Sequence, residues 1–136
     1  TVATMPQLRV PEAASFLGVS DDTIRRLVDS GALSALTDAA GRRVVDGFEL
    51  AMYAREQASA APDPTWVNSS ARNRFVGLVT AIKSDSVMSQ VELQCGPFRV
   101  VSLMSSEAVQ ELELELGSVA VAMVKSTNVI VEVPAS

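Results

Sequence analysis

Two short stretches of the chain carry side chains suited to holding a small anion. Ser70-Ala71-Arg72-Asn73 places a hydroxyl, a guanidinium and an amide just before a strand-like run at residues 75–82. Lys125-Ser126-Thr127 places an ammonium and two hydroxyls at the end of a second strand-like run, residues 118–124. Together these groups offer donors and positive charge with little carboxylate nearby, which suits an oxyanion better than a metal ion or an apolar ligand. A tetrahedral dianion presents acceptor oxygens on all sides, and hydrogen bonds to charged groups contribute ~1.5–3 kcal/mol each. Several of them give micromolar binding or better after association costs of ~4–15 kcal/mol.

What the chain lacks narrows the chemistry further. It has no histidine and one cysteine, so zinc sites, His-based triads and thiol–imidazole pairs lack their parts. No Gly-rich loop ending in Gly-Lys-Ser/Thr is present. Glu111, Glu113 and Glu115 alternate with leucines at a helix end and read as solvated carboxylates, not a catalytic pair. Neither an enzyme nor a metal site is expected. Cys95 cannot form an intrachain disulfide and lies in a strand pattern, which reads as a buried reduced thiol. No apolar run approaches the ~18 residues needed to cross a bilayer. The N-terminus lacks a basic stretch followed by an apolar one. A cytoplasmic protein with no membrane partner is the expectation.

The elements that must position these groups follow from the hydrophobic pattern. At 136 residues, 48% hydrophobic but only 4% aromatic, the chain has room for two small cores built from aliphatics and alanine. In the second half, Val87, Ser89, Val91, Leu93 and Cys95 line one face of a period-2 run. Gly96-Pro97 turns the chain into a strand at residues 98–103. Ser105 is a good N-cap for a short helix over residues 107–112, with Glu107 in its first turn. Strands follow at residues 118–124 and 129–133. Short strands with one helix between them make a small β-barrel, whose kind the pattern alone does not specify.

The first half reads differently. Val10, Ala13, Ala14 and Leu17 fall on one helical face over residues 11–17, with Pro11 in the first turn and Gly18 at the stop. Ser20 caps a second helix whose buried stripe is Ile24, Leu27 and Val28. Helix, Gly-containing turn, helix is the helix-turn-helix pattern. Residues 33–37 and 42–45 form two short strands around Asp38-Ala39-Ala40-Gly41, a wing. Asp46 then caps a third helix to about residue 58, with Phe48, Met52 and Tyr53 or their neighbours inward. Residues 58–65, with Pro62 and Pro64, read as a semi-rigid connector. The resulting organisation is a DNA-binding domain at residues 1–60, a linker at 61–67, and an anion-binding domain at 68–136. Trp66 packs the linker onto a domain.

Two resemblances add to this reading. Ser-Ala-Arg-Asn followed by Gly77, with Lys-Ser-Thr-Asn-Val about fifty residues on, resembles the Mop domain, the molybdate- and tungstate-binding module of molbindins, molybdate-responsive repressors and transporter ATPases. It covers roughly residues 68–133. It implies an oxyanion at a subunit interface, with Ser70, Arg72, Lys125 and Ser126 as donors and Ser105 adding a hydroxyl. Asn73 completes the first motif, or braces the turn into the strand. Ala108 stands where many relatives have a serine, which removes a donor. The strings Val10-Pro11-Glu12-Ala13-Ala14, Leu17-Gly18-Val19-Ser20, Thr23-Ile24-Arg25-Arg26-Leu27 and Gly41-Arg42-Arg43-Val44 resemble the excisionase/MerR-type winged helix-turn-helix. That resemblance makes residues 22–29 the recognition helix, with Thr23, Arg25 and Arg26 toward DNA and Arg42 and Arg43 gripping phosphates from the wing. Asp21 and Asp22 act as caps, or one of them accepts from a cytosine amino group.

The net charge of −5 argues against a general nucleic-acid coat but not against a local basic face. The combined expectation is an α+β, two-domain chain: winged helix-turn-helix in front, OB-like Mop barrel behind. Its function would be that of a molybdate- or tungstate-responsive transcription regulator, at least a homodimer. The alternatives are a cytoplasmic molybdate store whose front domain makes oligomer or protein contacts, and a barrel that binds some other small anion.

Overall fold

The computed structural model describes residues 6–135. Its contacts divide the chain into two units, Thr1–Ser59 and Ala60–Ser136.

In the first unit, β1 (Gln7–Arg9) runs directly into α1 (Val10–Leu17), and Gly18 takes the left-handed conformation that ends this helix. Ser20 accepts the Thr23 amide N–H at 3.2 Å and caps α2 (Asp21–Asp29). β2 (Ala35–Thr37) and β3 (Arg43–Asp46) flank the wing turn. Asp46 caps α3 (Gly47–Gln57) by accepting the Glu49 N–H at 2.9 Å. The three strands form an antiparallel sheet in the order β1-β3-β2. Val10, Ala13, Ala14, Ile24, Leu33, Val45 and Leu50 form the core, with Leu8, Leu17, Leu27, Val28 and Tyr53 packed against it. Two features depart from the sequence expectation. β1 has no pattern of its own, because three residues ahead of a helix gain strand geometry only by pairing with β3. On α3 the buried residue is Leu50, while Phe48 lies 58% exposed.

In the second unit, β4 (Asn73–Ser84), β5 (Met88–Cys95), β6 (Phe98–Ser105) and β7 (Val119–Val124) form an antiparallel sheet in the order β6-β5-β4-β7. The sheet curls into a half-barrel of the OB-like kind. The twelve-residue β4 bends at a register shift between Val79 and Ala81, the usual device for curling a long strand. Asp85 accepts the Val87 and Met88 N–H groups at 2.8 Å and makes the β4–β5 turn tight. Ser105 accepts the Ala108 N–H at 3.0 Å and caps α4 (Ser106–Glu111). Val79, Val91, Leu93 and Cys95 are the buried centre. The Cys95 thiol is free and donates to the Phe75 carbonyl at 3.6 Å.

The expected last strand at residues 129–133 is not a strand. After a 3-10 turn at Ser126–Asn128 the segment has no ladder partner among the described residues, and Val131 is 83% exposed. Alternation records that one face of a segment is apolar; it does not supply the neighbour that a strand requires. Among the described residues no helix is long and apolar enough to cross a membrane.

Gly77 shows how closely β4 and β5 approach. A Cβ there would stand 2.6 Å from both Cys95 Sγ and the Gln94 carbonyl oxygen. Gly77→Ala should therefore lower the melting temperature by the equivalent of roughly 1–3 kcal/mol, the usual cost of overpacking. A calorimetric transition identical to that of the unmodified chain would refute this packing.

Candidate functional site

The two polar motifs meet because β4 and β7 are antiparallel neighbours. Asn73, the first residue of β4, lies opposite Val124, the last of β7. Its side-chain amide donates to the Val124 carbonyl at 3.3 Å. Ser70-Ala71-Arg72 therefore enters, and Lys125-Ser126 leaves, at the same end of the sheet. Buried Ala71 anchors the first motif, and its N–H donates to Ser69 Oγ at 3.1 Å. Ser70, Arg72, Lys125 and Ser126 are exposed. Among the described residues no carboxylate pairs with Arg72 or Lys125. Two uncompensated cations and two hydroxyls thus share one sheet end. Asn73 has its N–H engaged in bracing the strand pair.

Ser105 is not brought to that cluster within one chain. It pairs with Met88 at the start of β5, and Ser89 on β5 pairs with Ser84 at the far end of β4. Ser105 therefore sits at the opposite end of the half-barrel, and its hydroxyl already accepts the Ala108 N–H. No group of three or more His, Cys, Asp or Glu side chains gathers among the described residues.

Arg74, beyond the first polar motif, engages the one carboxylate of the connector. Its guanidinium donates from Nε to Asp63 Oδ2 at 2.9 Å and from Nη2 to Thr65 Oγ1 at 2.9 Å. Asp63 also accepts from the Thr65 N–H and hydroxyl, at 2.9 and 2.7 Å. These bonds, the one from Arg74 foremost, hold the Asp63 carboxyl down at about 2. The connector is strapped to β4 by this pair and not by Trp66. That tryptophan has a positive φ of 56° and is 96% exposed, contrary to the packing expected of it. The one sequence signal for the strap was an acidic residue in an otherwise small and apolar connector.

The first unit gathers its arginines on α2 and the wing. Arg25 donates to Asp22 at 2.8 Å, and Arg42 to Asp38 at 3.3 Å. Asp38 also accepts the Ala40 and Arg42 N–H groups at 2.9 Å, and the Arg42 N–H is the main cause of its lowered pKa. Arg26 and Arg43 are exposed, with no ion-pair partner among the described residues. Thr23 is half-buried and its hydroxyl lies 3.0 Å from that of Ser20 in the helix cap. Asp22 is drawn to Arg25, so only Asp21 remains as an unpaired carboxylate at the start of α2.

Comparison with known proteins places both halves. The model of the TOBE domain matches residues 69–131, and that of a helix-turn-helix domain matches residues 8–58. Over 65 residues, 47% of the chain, the sequence is 37% identical to the molybdenum transport protein ModE of Herbaspirillum seropedicae. That match covers 24% of the relative, so the chain spans about a quarter of its length. A probable molybdenum-pterin-binding protein of Haemophilus influenzae is 43% identical over 65 residues, which is 94% of its length. Among solved structures, the cytoplasmic molybdate-binding protein ModG with molybdate bound superposes at a TM-score of 0.50 with 28% identity. That superposition covers 74% of this chain and 82% of ModG.

The strap makes its own prediction. Because the Asp63 carboxyl is depressed, its contribution is complete above the ordinary carboxylate value of about 4 and is lost as pH falls through about 2. The indole NMR resonance of nearby Trp66 should shift across that window, and in Asp63→Asn it should not. An indole that titrates identically in both proteins rules out the strap.

Proposed function

The chain belongs to the TOBE-domain family over residues 69–131 and carries a helix-turn-helix domain over residues 8–58, and on that premise we propose that it is a molybdate-responsive, DNA-binding transcription regulator. One observation carries the reading: the β4–β7 register joins Ser70 and Arg72 to Lys125 and Ser126 at one sheet end, in a chain that also has a helix-turn-helix. Molybdate or tungstate is the ligand, held by Ser70, Arg72, Lys125 and Ser126, with Asn73 bracing the strands beneath. The relatives named for molybdenum or molybdate binding support that choice. Residues 61–67 link two working domains. Thr23, Arg25, Arg26, Arg42 and Arg43 form the DNA face. No catalysis is assigned, and the site of action is the cytoplasm.

Self-association belongs to the same reading. Ser105 lies too far along the sheet to join the anion within one chain, so a second copy supplies it. The open half-barrel holds an apolar groove of about 530 Å³ along β7, and the apolar segment at residues 129–133 has no ladder partner among the described residues.

The decisive experiment titrates DNA from upstream of the encoding gene with the full chain, with and without molybdate. Binding should weaken with salt, and molybdate should change the affinity several-fold. Lys125→Ala should bind DNA normally and lose the molybdate response, together with the rise in melting temperature that follows ligand concentration. Arg26→Ala should reduce discrimination between this DNA and random sequence. Molybdate binding with no preference for this DNA would favour the storage alternative. No response to millimolar molybdate in either assay would eliminate the anion reading.

Light scattering checks the assembly. The full chain should be a dimer or larger without DNA and without anion, and Val131→Asp should reduce its mass. A monomer that still binds molybdate with full affinity is incompatible with an interfacial site.

A further inference from the structure

In the first unit one small concavity, about 340 Å³, is lined by Arg9, Val10, Pro11, Arg25, Arg42 and Arg43. Its four arginines come from three places in the fold: the end of β1, the helix α2, and the wing with β3. No carboxylate lines it, although carboxylates outnumber arginines in this half of the chain. Like charges gathered in this way repel, and an anion placed among them removes that repulsion.

The four are not equivalent. Arg25 and Arg42 are each held by a carboxylate, Asp22 and Asp38, that stands outside the lining. Arg9 and Arg43 have no ion-pair partner among the described residues. The pairing of β1 with β3 sets Arg9 opposite Val44, next to Arg43. Val44 is buried but stands apart from the core cluster, so its strand face is the one that Arg9 shares. The two arginines without an ion-pair partner therefore come from paired strands, from alternate faces of the pleat, and both line the concavity with Arg25 and Arg42.

We propose that this concavity seats one backbone phosphate of duplex DNA, and that Arg9, at the end of β1 just before α1, is one of the arginines holding it. The inference rests on the DNA-binding reading and extends it to a residue outside both the recognition helix and the wing. A free anion would meet the same chemistry. The duplex is the better fit because the concavity lies where α2 and the wing come together, so the other contacts of the interface deliver the phosphate to it. A phosphate contact positions the protein and carries no sequence information. Its loss is therefore felt equally on any DNA.

The test uses the full chain, the duplex from upstream of the encoding gene and a random-sequence duplex, each titrated over a range of salt. Arg9→Ala should weaken binding to both duplexes by about tenfold, the loss of roughly one charge-assisted hydrogen bond. The slope of log affinity against log salt should become shallower by ~1. Arg9→Lys should retain the slope, and Arg55→Ala, exposed near the end of α3, should match the unmodified chain. If the unmodified chain binds both duplexes and Arg9→Ala has the same salt slope, the phosphate seat is wrong while the DNA reading stands. If the unmodified chain binds neither duplex, the DNA reading fails and the seat with it. A melting temperature raised by inorganic phosphate in the unmodified chain but not in Arg9→Ala, with the DNA slope unchanged, assigns the concavity to a free anion and overturns the proposal.

Discussion

The antiparallel pairing of β4 with β7 is the constraint on which the second unit depends. It closes a loop between Asn73 and Val124, residues 51 apart in sequence, and no local propensity can do that. Because side chains alternate between faces, a slip of one residue would turn every position of β7 over. Ala120 and Ala122 would leave the core and Val119, Val121 and Met123 would enter it. The small residues on one face and larger aliphatics on the other therefore set the register. The register in turn sets where Lys125 emerges. Gly77 and the irregularity at Val79–Ala81 serve the same end, letting a long strand curl while keeping both neighbours paired.

Carboxylates decide which cations remain free for an anion. Among the described residues of the second unit, Asp63 engages Arg74 and no carboxylate engages Arg72, two positions away. Among those of the first, Asp22 and Asp38 engage Arg25 and Arg42, and none engages their sequence neighbours Arg26 and Arg43. These pairs are largely exposed, so their value lies less in stability than in holding one guanidinium of each neighbouring set in a single orientation. Asp38 does more than pair, since its bonds to the Ala40 and Arg42 N–H groups shape the wing turn itself.

Both the apolar surface and the polar shell of the second unit are incomplete in a single chain. The half-barrel is open between its edge strands β6 and β7. The residues beyond the 3-10 turn keep their aliphatic side chains in water. Ser105, the remaining hydroxyl of the proposed shell, is at the wrong end of the sheet for its own Arg72 and Lys125. An unpaired apolar segment beside an open sheet edge is a hazard that proteins ordinarily cover. One second copy would answer all three deficits at once.

Much of this was legible in the residues. The caps at Ser20, Asp46 and Ser105, the stop at Gly18 and the alternation of Ser89 to Cys95 are local, and local interactions suffice to specify them. The two polar motifs were recognisable as well, because their residue types sit together in sequence. Other features needed a neighbour that sequence does not name. β1 exists only against β3. Residues 129–133 have the pattern of a strand but no ladder partner among the described residues. Arg74 and Asp63 find one another across the connector, which left Trp66 exposed where packing was expected. The separation of Ser105 from the other residues of the proposed anion site follows from strand order and register. Composition and spacing determined which chemistry the chain can do. Long-range pairing decided which of those groups stand together, because strand neighbours are chosen by register and burial across the whole sheet.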